Sequence, residues 1–157
     1  MAIERERKFL LGTKPIDLTG WGYEEIEQGY LISNKEEHVR VRKTNEINSF
    51  TGRGSVSYSV TYKKVIDEEN RIEIDCVTNP LAGKELMEQC SVKLNKTRWW
   101  NEINGCTISI DEYKDGLKII EVESINGSIL DIPEWVGKDV TGVKKYNNFE
   151  LAKKYAN

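Results

Sequence analysis

One histidine, His38, and three cysteines, Cys76, Cys90 and Cys106, are the only imidazole and thiol metal ligands the 157 residues contain. With so little of either, a histidine-rich zinc site or a serine–histidine triad has almost no material to work with. An odd number of cysteines at wide spacing fits neither a disulfide framework nor a C-x-x-C site, so they read as reduced thiols, mostly facing the core. Proline is scarce too. Pro15, Pro80 and Pro133 are scattered rather than gathered into a linker, and no repeat or low-complexity stretch divides the chain, which predicts a single domain over residues 1–157. No run approaches the roughly 20 apolar residues that span a bilayer. The chain enters Glu4, Arg5, Glu6, Arg7 and Lys8 without an apolar signal region, so the expectation is a cytoplasmic protein with no membrane partner. A formal net charge of −3 offers no overall attraction to nucleic acid, and none is expected as a partner.

What the chain does contain is alternation. Apolar and polar residues exchange with period two over residues 3–11, 23–32, 37–44, 56–64, 71–77, 91–99, 106–113 and 118–124, the pattern of strands whose faces see different surroundings. Turn-forming residues separate most of them, as in Asn34-Lys35, Gly52-Arg53-Gly54 and Asp115-Gly116. Pro80, Leu81, Leu86 and Met87 predict a short amphipathic helix in the one gap, and Phe149, Leu151, Ala152 and Tyr155 a C-terminal helix over 146–155 that packs on the sheet or plugs one end. Eight antiparallel strands must hide their edges. The fold class predicted is therefore mainly β (α+β), a closed eight-stranded antiparallel barrel with a few packing helices.

The informative residues are those opposite the apolar ones. Glu4, Glu6 and Lys8 share one face of the first strand, with Ile3, Arg5, Arg7 and Phe9 on the other. Arg40 and Arg42 alternate with Val39 and Val41, Glu73 and Asp75 with Ile72 and Ile74, Lys96 and Arg98 with Asn95 and Thr97, and Glu121 and Glu123 with Ile120 and Val122. Taken singly, each pair reads as a solvated strand face. Like charges two residues apart repel unless opposite charge lies between them, and five strands with such pairs ask for a shared ligand. A divalent metal on the carboxylates and a polyphosphate on the cations would supply it.

The opening Glu4-x-Glu6-x-Lys8 resembles the E-x-E-x-K signature of the CYTH, or triphosphate tunnel metalloenzyme, superfamily. The match continues in order through Gln28-Gly29-Tyr30-Leu31, Val39-Arg40-Val41-Arg42, Tyr62-Lys63, Arg71-Ile72-Glu73-Ile74-Asp75, Lys96-Thr97-Arg98, Ile110-Asp111, Glu121-Val122-Glu123 and Val140-Thr141. It ends at Lys145-Tyr146-Asn147-Asn148, so it covers nearly the whole chain. The resemblance implies a barrel whose lumen is a polar tunnel that binds Mg²⁺ or Mn²⁺ and a small-molecule triphosphate or nucleotide. It implies Lys8, Arg40, Arg42, Lys63, Arg98 and Lys145 as phosphate ligands, joined by Lys96 and Arg71. It also implies Glu4, Glu6, Glu121 and Glu123 as metal carboxylates supported by Glu73, Asp75 and Asp111. Glu4, Glu6 and Lys8 become the catalytic candidates, Glu4 or Glu6 acting as base on the attacking water.

Within that resemblance the leading activity is hydrolysis of inorganic tripolyphosphate. Thiamine or nucleoside triphosphatase and class IV adenylyl cyclase are alternatives in the same fold, and a module that sequesters a polyphosphate or nucleotide without turnover is one of another class. Oligomeric state stays open, a homodimer included. Two departures stand out. Asp75 is one methylene shorter than the glutamate expected there, and residues 45–55 exceed what a tight hairpin needs, forming either a lid at the tunnel mouth or a tolerated insertion. Trp21, Trp99, Trp100 and Trp135 could stack a base and His38, at the start of the Arg-rich strand, could touch substrate, but the tryptophans read as packing residues and His38 as an exposed or hydrogen-bonded structural histidine.

Overall fold

Each of the eight alternating stretches forms a strand in the computed structural model, which describes residues 3–125 and 129–156. In chain order these are β1 (Ile3–Leu11), β2 (Gly22–Ser33), β3 (Glu37–Ile47), β4 (Gly54–Val65), β5 (Asn70–Thr78), β6 (Val92–Ile103), β7 (Cys106–Tyr113) and β8 (Lys118–Ser124). Helix α1 (Pro80–Glu88) separates β5 from β6. After β8 come a short strand β9 (Val136–Asp139), a 3-10 turn (Lys144–Tyr146) and helix α2 (Asn148–Ala156). All pairings are antiparallel in the order β5-β4-β3-β2-β6-β7-β8-β1, and β1 closes the ring by pairing Ile3–Arg5 with Asn70–Ile72. Strand β9 continues along β1 where β5 leaves off, at Phe9 and Leu11, and escapes the alternation test because four residues carry too little of it.

The stretch 45–55 is two strand ends joined by a turn over residues 48–53, longer than a tight two-residue hairpin, as the sequence suggests. Strands β3 and β4 pair as far as Ile47 and Gly54. Only residues 48–53 turn, around Asn48, whose side-chain oxygen accepts the amides of Phe50 and Thr51 at 2.9 and 3.0 Å. Ser49 and Gly52 lie in the turn, Gly52 with a φ of 68°, and Gly54 and Ser55 begin β4.

Closure separates the two faces of every strand. The charged set points into the lumen and the apolar set outward, so the apolar face needs covers of its own. Helix α1 provides one, with Met87 and Cys90 against Val41 and Val60. Asn79 caps that helix by accepting the Ala82 amide at 2.8 Å, with Pro80 preorganising its first turn. The helix approaches so closely that a Cβ on Gly29 would lie 2.6 Å from Cys90 Sγ. Over β1, β7 and β8 the cover is irregular chain. Ile16, Leu18, Trp21, Leu130, Ile132 and Trp135 pack on Phe9, Ile108, Ile110, Ile120 and Val122.

The third apolar cluster lies at one end of the lumen itself. Leu151 and Ala152 of α2 pack on Tyr30, Leu94, Tyr113 and Ile119, which share the inner face with the charged residues. Of the two placements open for this helix, it takes the plug. Its C-terminal end is tied to the β7–β8 turn by Lys154 and the Tyr155 hydroxyl, each 2.7 Å from Asp115. Among the described residues no helix is long and apolar enough to cross a membrane.

Truncating the plug should therefore cost a full core residue. Leu151→Ala removes a side chain that is 1% exposed and should lower the unfolding free energy by about 2–4 kcal/mol in urea denaturation. Ile3→Thr, at a residue 53% exposed, should change it by about 0.5 kcal/mol or less. Equal losses would show that α2 does not contribute to the core.

Candidate active site in the barrel lumen

Strand register decides which charges meet. Glu6 stands opposite Glu123 and Lys8 opposite Glu121 across β1 and β8, while Glu4 stands opposite Arg71 across β1 and β5. Lys63 lies between His38 and Glu73, Thr61 between Arg40 and Asp75, and Arg98 beside Asp111. Glu6, Lys8, Arg40, Lys96, Asp111 and Glu121 are all buried. Ionised groups persist in such a place only when paired or ligated.

The pairing is uneven along the lumen. At the closure of β1 on β5 the acids dominate, and one carboxylate oxygen from each of Glu4, Glu6 and Glu123 falls within 4.8 Å of the others. Cations rim this cluster. Arg71 Nη1 is 3.2 Å from Glu6, Lys63 Nζ is 3.7 Å from Glu4 and 2.6 Å from Glu73, and Lys8 Nζ is 3.6 Å from Glu6 and 3.5 Å from Glu121. Deeper in, Asp111 accepts Lys96 Nζ at 2.5 Å and Arg98 Nε at 2.6 Å, and Arg98 reaches Glu121 at 3.1 Å.

Neither region satisfies all of its members. Burial, together with Glu4 and Glu6 alongside, pushes the Glu123 carboxyl up to about 9. Glu4 Oε2 and Glu6 Oε1 are buried and accept no hydrogen bond from the described residues. On the cationic side Arg42 has no carboxylate within ion-pair reach among the described residues, and its Nη2 donates to Gln28 Oε1 at 3.0 Å. Burial beside Arg40 and Arg98 pushes Arg42 down to about 9, still high enough to keep the guanidinium charged at neutral pH. Burial and Arg40 likewise push Lys63 down to about 8. Cations held this way gain from any anion that arrives among them.

The structure divides the residues named from the sequence into groups with different neighbours. Glu4, Glu6 and Glu123 come together, with Glu121 one step along β8. Glu73 is committed to Lys63 and to Arg40, whose Nη2 is 3.7 Å away. Asp111 is spent on Lys96 and Arg98. Asp75 is exposed and accepts the Thr61 hydroxyl, which in turn accepts Arg40 Nη2 at 2.9 Å, so it sits behind a phosphate-site cation rather than in the acidic cluster. Lys145 is not brought into the lumen. It is exposed with its ammonium over the Tyr146 ring, and Lys144 beside it lines the cavity mouth. Gln28 and Thr61 have no role in the sequence reading, although each lies on the inner face of its strand, the one signal that marks them. Thr141, which accepts the Lys8 amide at 2.9 Å, and Asn148, which accepts Lys96 Nζ at 3.2 Å and the Tyr113 hydroxyl at 2.8 Å, fall in runs that the resemblance matched without giving either a role.

Glu6, Lys8, Arg40, Lys63 and Arg71 open onto a cavity of about 460 Å³. Its mouth lies between the β2–β3 and β4–β5 turns on one side and residues 140–149 on the other. A larger hollow, about 600 Å³, lies among Glu25, Glu27, Lys43, Asn45 and Thr97. These side chains belong to the outer faces of their strands, opposite in register to Arg42 and Arg98, and lack the clustered acids.

The chain is 27% identical to the inorganic triphosphatase of Acetivibrio thermocellus over 165 aligned residues, covering 98% of this chain and 95% of that protein. No family model matches it. Two solved structures from Pyrococcus horikoshii OT3, those of the PH1012 and PH1819 proteins, superpose with a TM-score of 0.59 at 23% identity, over 80% of this chain and 80% and 79% of theirs. They share the fold. With the closed barrel and its inward charges, the resemblance drawn from Glu4-x-Glu6-x-Lys8 and the motifs after it is borne out.

The ion triplet around Asp111 predicts a large effect of one small change. Asp111→Asn leaves Lys96 and Arg98 buried without their shared anion and should destabilise the fold by about 3–5 kcal/mol at pH 7, against less than about 1 kcal/mol for exposed Asp75→Asn. Burial raises the Asp111 carboxyl, but Arg98 and Lys96 outweigh it and hold the group below its ordinary value. Its contribution is therefore present above about pH 4 and lost as pH falls through the lower folded value, so the gap between wild type and variant should narrow toward acid. Denaturant titration at both pH values reads this directly.

Proposed function

We propose that this chain is a triphosphatase that uses Mg²⁺ or Mn²⁺ to hydrolyse inorganic triphosphate inside the barrel. The observation that carries the reading is the adjacency, in one closed lumen, of the Glu4–Glu6–Glu123 cluster and the cations Lys8, Arg40, Lys63 and Arg71. The near full-length relative named an inorganic triphosphatase supports it. A hard cation fits the cluster, since every ligand atom would be a carboxylate oxygen, and Glu4 and Glu6 each carry a buried oxygen that accepts no hydrogen bond. Glu4, Glu6 and Glu123 would hold it, and when bound it supplies positive charge against the phosphate oxygens.

The chain's own residues account for the rest. Lys8, Arg40, Lys63 and Arg71 donate charge-assisted hydrogen bonds to the phosphate oxygens, with Arg42 and Arg98 deeper in the lumen. Glu4 or Glu6 orients the attacking water and takes its proton. A bond forms from the water oxygen to the terminal phosphorus as the bridging P–O bond breaks, and pyrophosphate departs. Phosphoryl transfer depends chiefly on such positioning and charge, and a lumen plugged by α2 keeps bulk water from competing.

The test is phosphate release from tripolyphosphate, ATP and thiamine triphosphate, each with and without Mg²⁺ or Mn²⁺. Metal-dependent release, fastest from tripolyphosphate, is expected. Binding without turnover on any substrate would move the chain to the sequestering reading. Glu6→Gln should cut turnover by about 10²–10³-fold with triphosphate affinity nearly kept, because glutamine retains shape and an oxygen while losing charge and basicity. Arg42→Ala should weaken binding by about 10-fold or more, whereas Arg5→Ala, on the outer face and paired with Glu69, should leave it within about 2-fold. Equal losses in the two arginine variants would overturn the lumen as the binding site.

A further inference from the structure

The same cavity has an aromatic wall. His38 precedes Arg40 by two residues on the inner face of β3, and both line the cavity with Lys8, Lys35 and Lys63. Its ring is held on two sides, 5.9 Å from Tyr30 of β2 and 5.3 Å from Phe149 of α2 between centroids. Nδ1 is hydrogen-bonded to Ser33 Oγ on the neighbouring strand. A serine hydroxyl donates to a neutral imidazole and accepts from an imidazolium, so this bond survives a change of charge. Nε2 makes no hydrogen bond with the described residues. A ring fixed on two sides, with one nitrogen anchored and the other free, is more constrained than a filler residue needs to be.

We propose that His38 is a further substrate-contacting residue, the outermost phosphate ligand of the cavity, neutral when the site is empty and cationic when a triphosphate is seated. This rests on the triphosphate reading above. The charges facing the ring make the change of state follow from ligand binding. Burial comes first, and Lys63 on β4 and Arg71 on β5 add to it; together they hold the imidazole below its ordinary value. Arg40 on its own strand and Lys35 at the mouth are also cationic, and Glu150 on α2 is the acid that opposes them. A polyanion entering among Lys63, Arg71 and Arg40 cancels the repulsion that kept the ring neutral. His38 then takes a proton from solvent at Nδ1, which turns from accepting to donating toward Ser33 Oγ, while the Nε2–H it already carries donates to a phosphate oxygen; the Nδ1 proton returns to solvent when the product leaves. By linkage, the same coupling makes triphosphate bind more tightly below the bound-state pKa of His38 than above it.

Because His38 is the only histidine, its Cε1–H resonance in untagged wild-type protein is a single reporter. In the metal-free protein, saturating tripolyphosphate should raise the midpoint of its NMR titration by about one pH unit or more. Calorimetry in two buffers of different ionisation enthalpy, near pH 7, should show wild type taking up about half a proton more per triphosphate than His38→Gln. The variant should bind about 3–10-fold more weakly near pH 6 and nearly equally near pH 8.5. The variant also subtracts the protonation of tripolyphosphate itself. An unshifted resonance in a protein that binds tripolyphosphate, or identical affinity and proton uptake in the two proteins, would overturn the role of His38 and leave the triphosphate reading standing. A wild-type protein that fails to bind tripolyphosphate would overturn both. Should His38→Gln not fold, the wild-type resonance alone decides.

Discussion

Charge neutralisation across a closed lumen is the constraint on which this molecule depends. A barrel that points Glu4, Glu6, Lys8, Arg40, Asp111 and Glu121 inward forfeits the apolar interior that would ordinarily stabilise it. Each of these groups loses hydration on burial, and the loss is offset only when opposite charge lies within a few ångströms. The register of nine antiparallel pairings does this work, setting Lys8 against Glu121, Lys63 against Glu73 and Arg98 against Asp111. A slip of one residue in any strand would bring valines and isoleucines inside and put unpaired charges against apolar covers.

The inversion explains the parts of the chain that are not barrel. With the lumen polar, the cores form outside it and at its end, under α1, under the irregular segments around Leu18 and Ile132, and around the plug α2. Three small cores replace one large one. Much of the chain between strands is therefore cover rather than connection, and this is why Ile120, on the outer face beside Glu121, and Leu151, in the plug, are as deeply buried as any in the protein.

The barrel and its inner face were legible because both are periodic. Alternation marks strands, and two-residue spacing of like charge marks which face carries the chemistry, so Glu4, Glu6, Arg40, Arg42 and Glu123 could be named before any contact was seen. What was illegible is what has no period. Strand β9 is too short, and the covers over β8 are irregular. The choice of Lys144 over Lys145 at the mouth depends on how a 3-10 turn presents its side chains. The separate duties of Glu73, Asp75 and Asp111 also escaped, because alternation says which face a residue shares and nothing about which neighbour it meets.

The pairing that makes the fold tolerable also prepares it to bind. In the deep region Asp111 is answered by Lys96 and Arg98, and Glu121 by Arg98 and Lys8. Elsewhere in the lumen the match is incomplete on both sides: Glu4 Oε2 and Glu6 Oε1 have cations near them but accept no hydrogen bond, Arg40 and Arg42 each keep a buried Nε without an acceptor, and Glu123 escapes charge repulsion by holding its proton. These deficits are of opposite kinds and lie in one lumen, so a cation alone or an anion alone would relieve half of them and worsen the other half. A divalent metal carried with a polyphosphate relieves both. The incomplete pairing is thus a selection rule, and it favours a ligand that is itself an ion pair over either of its components.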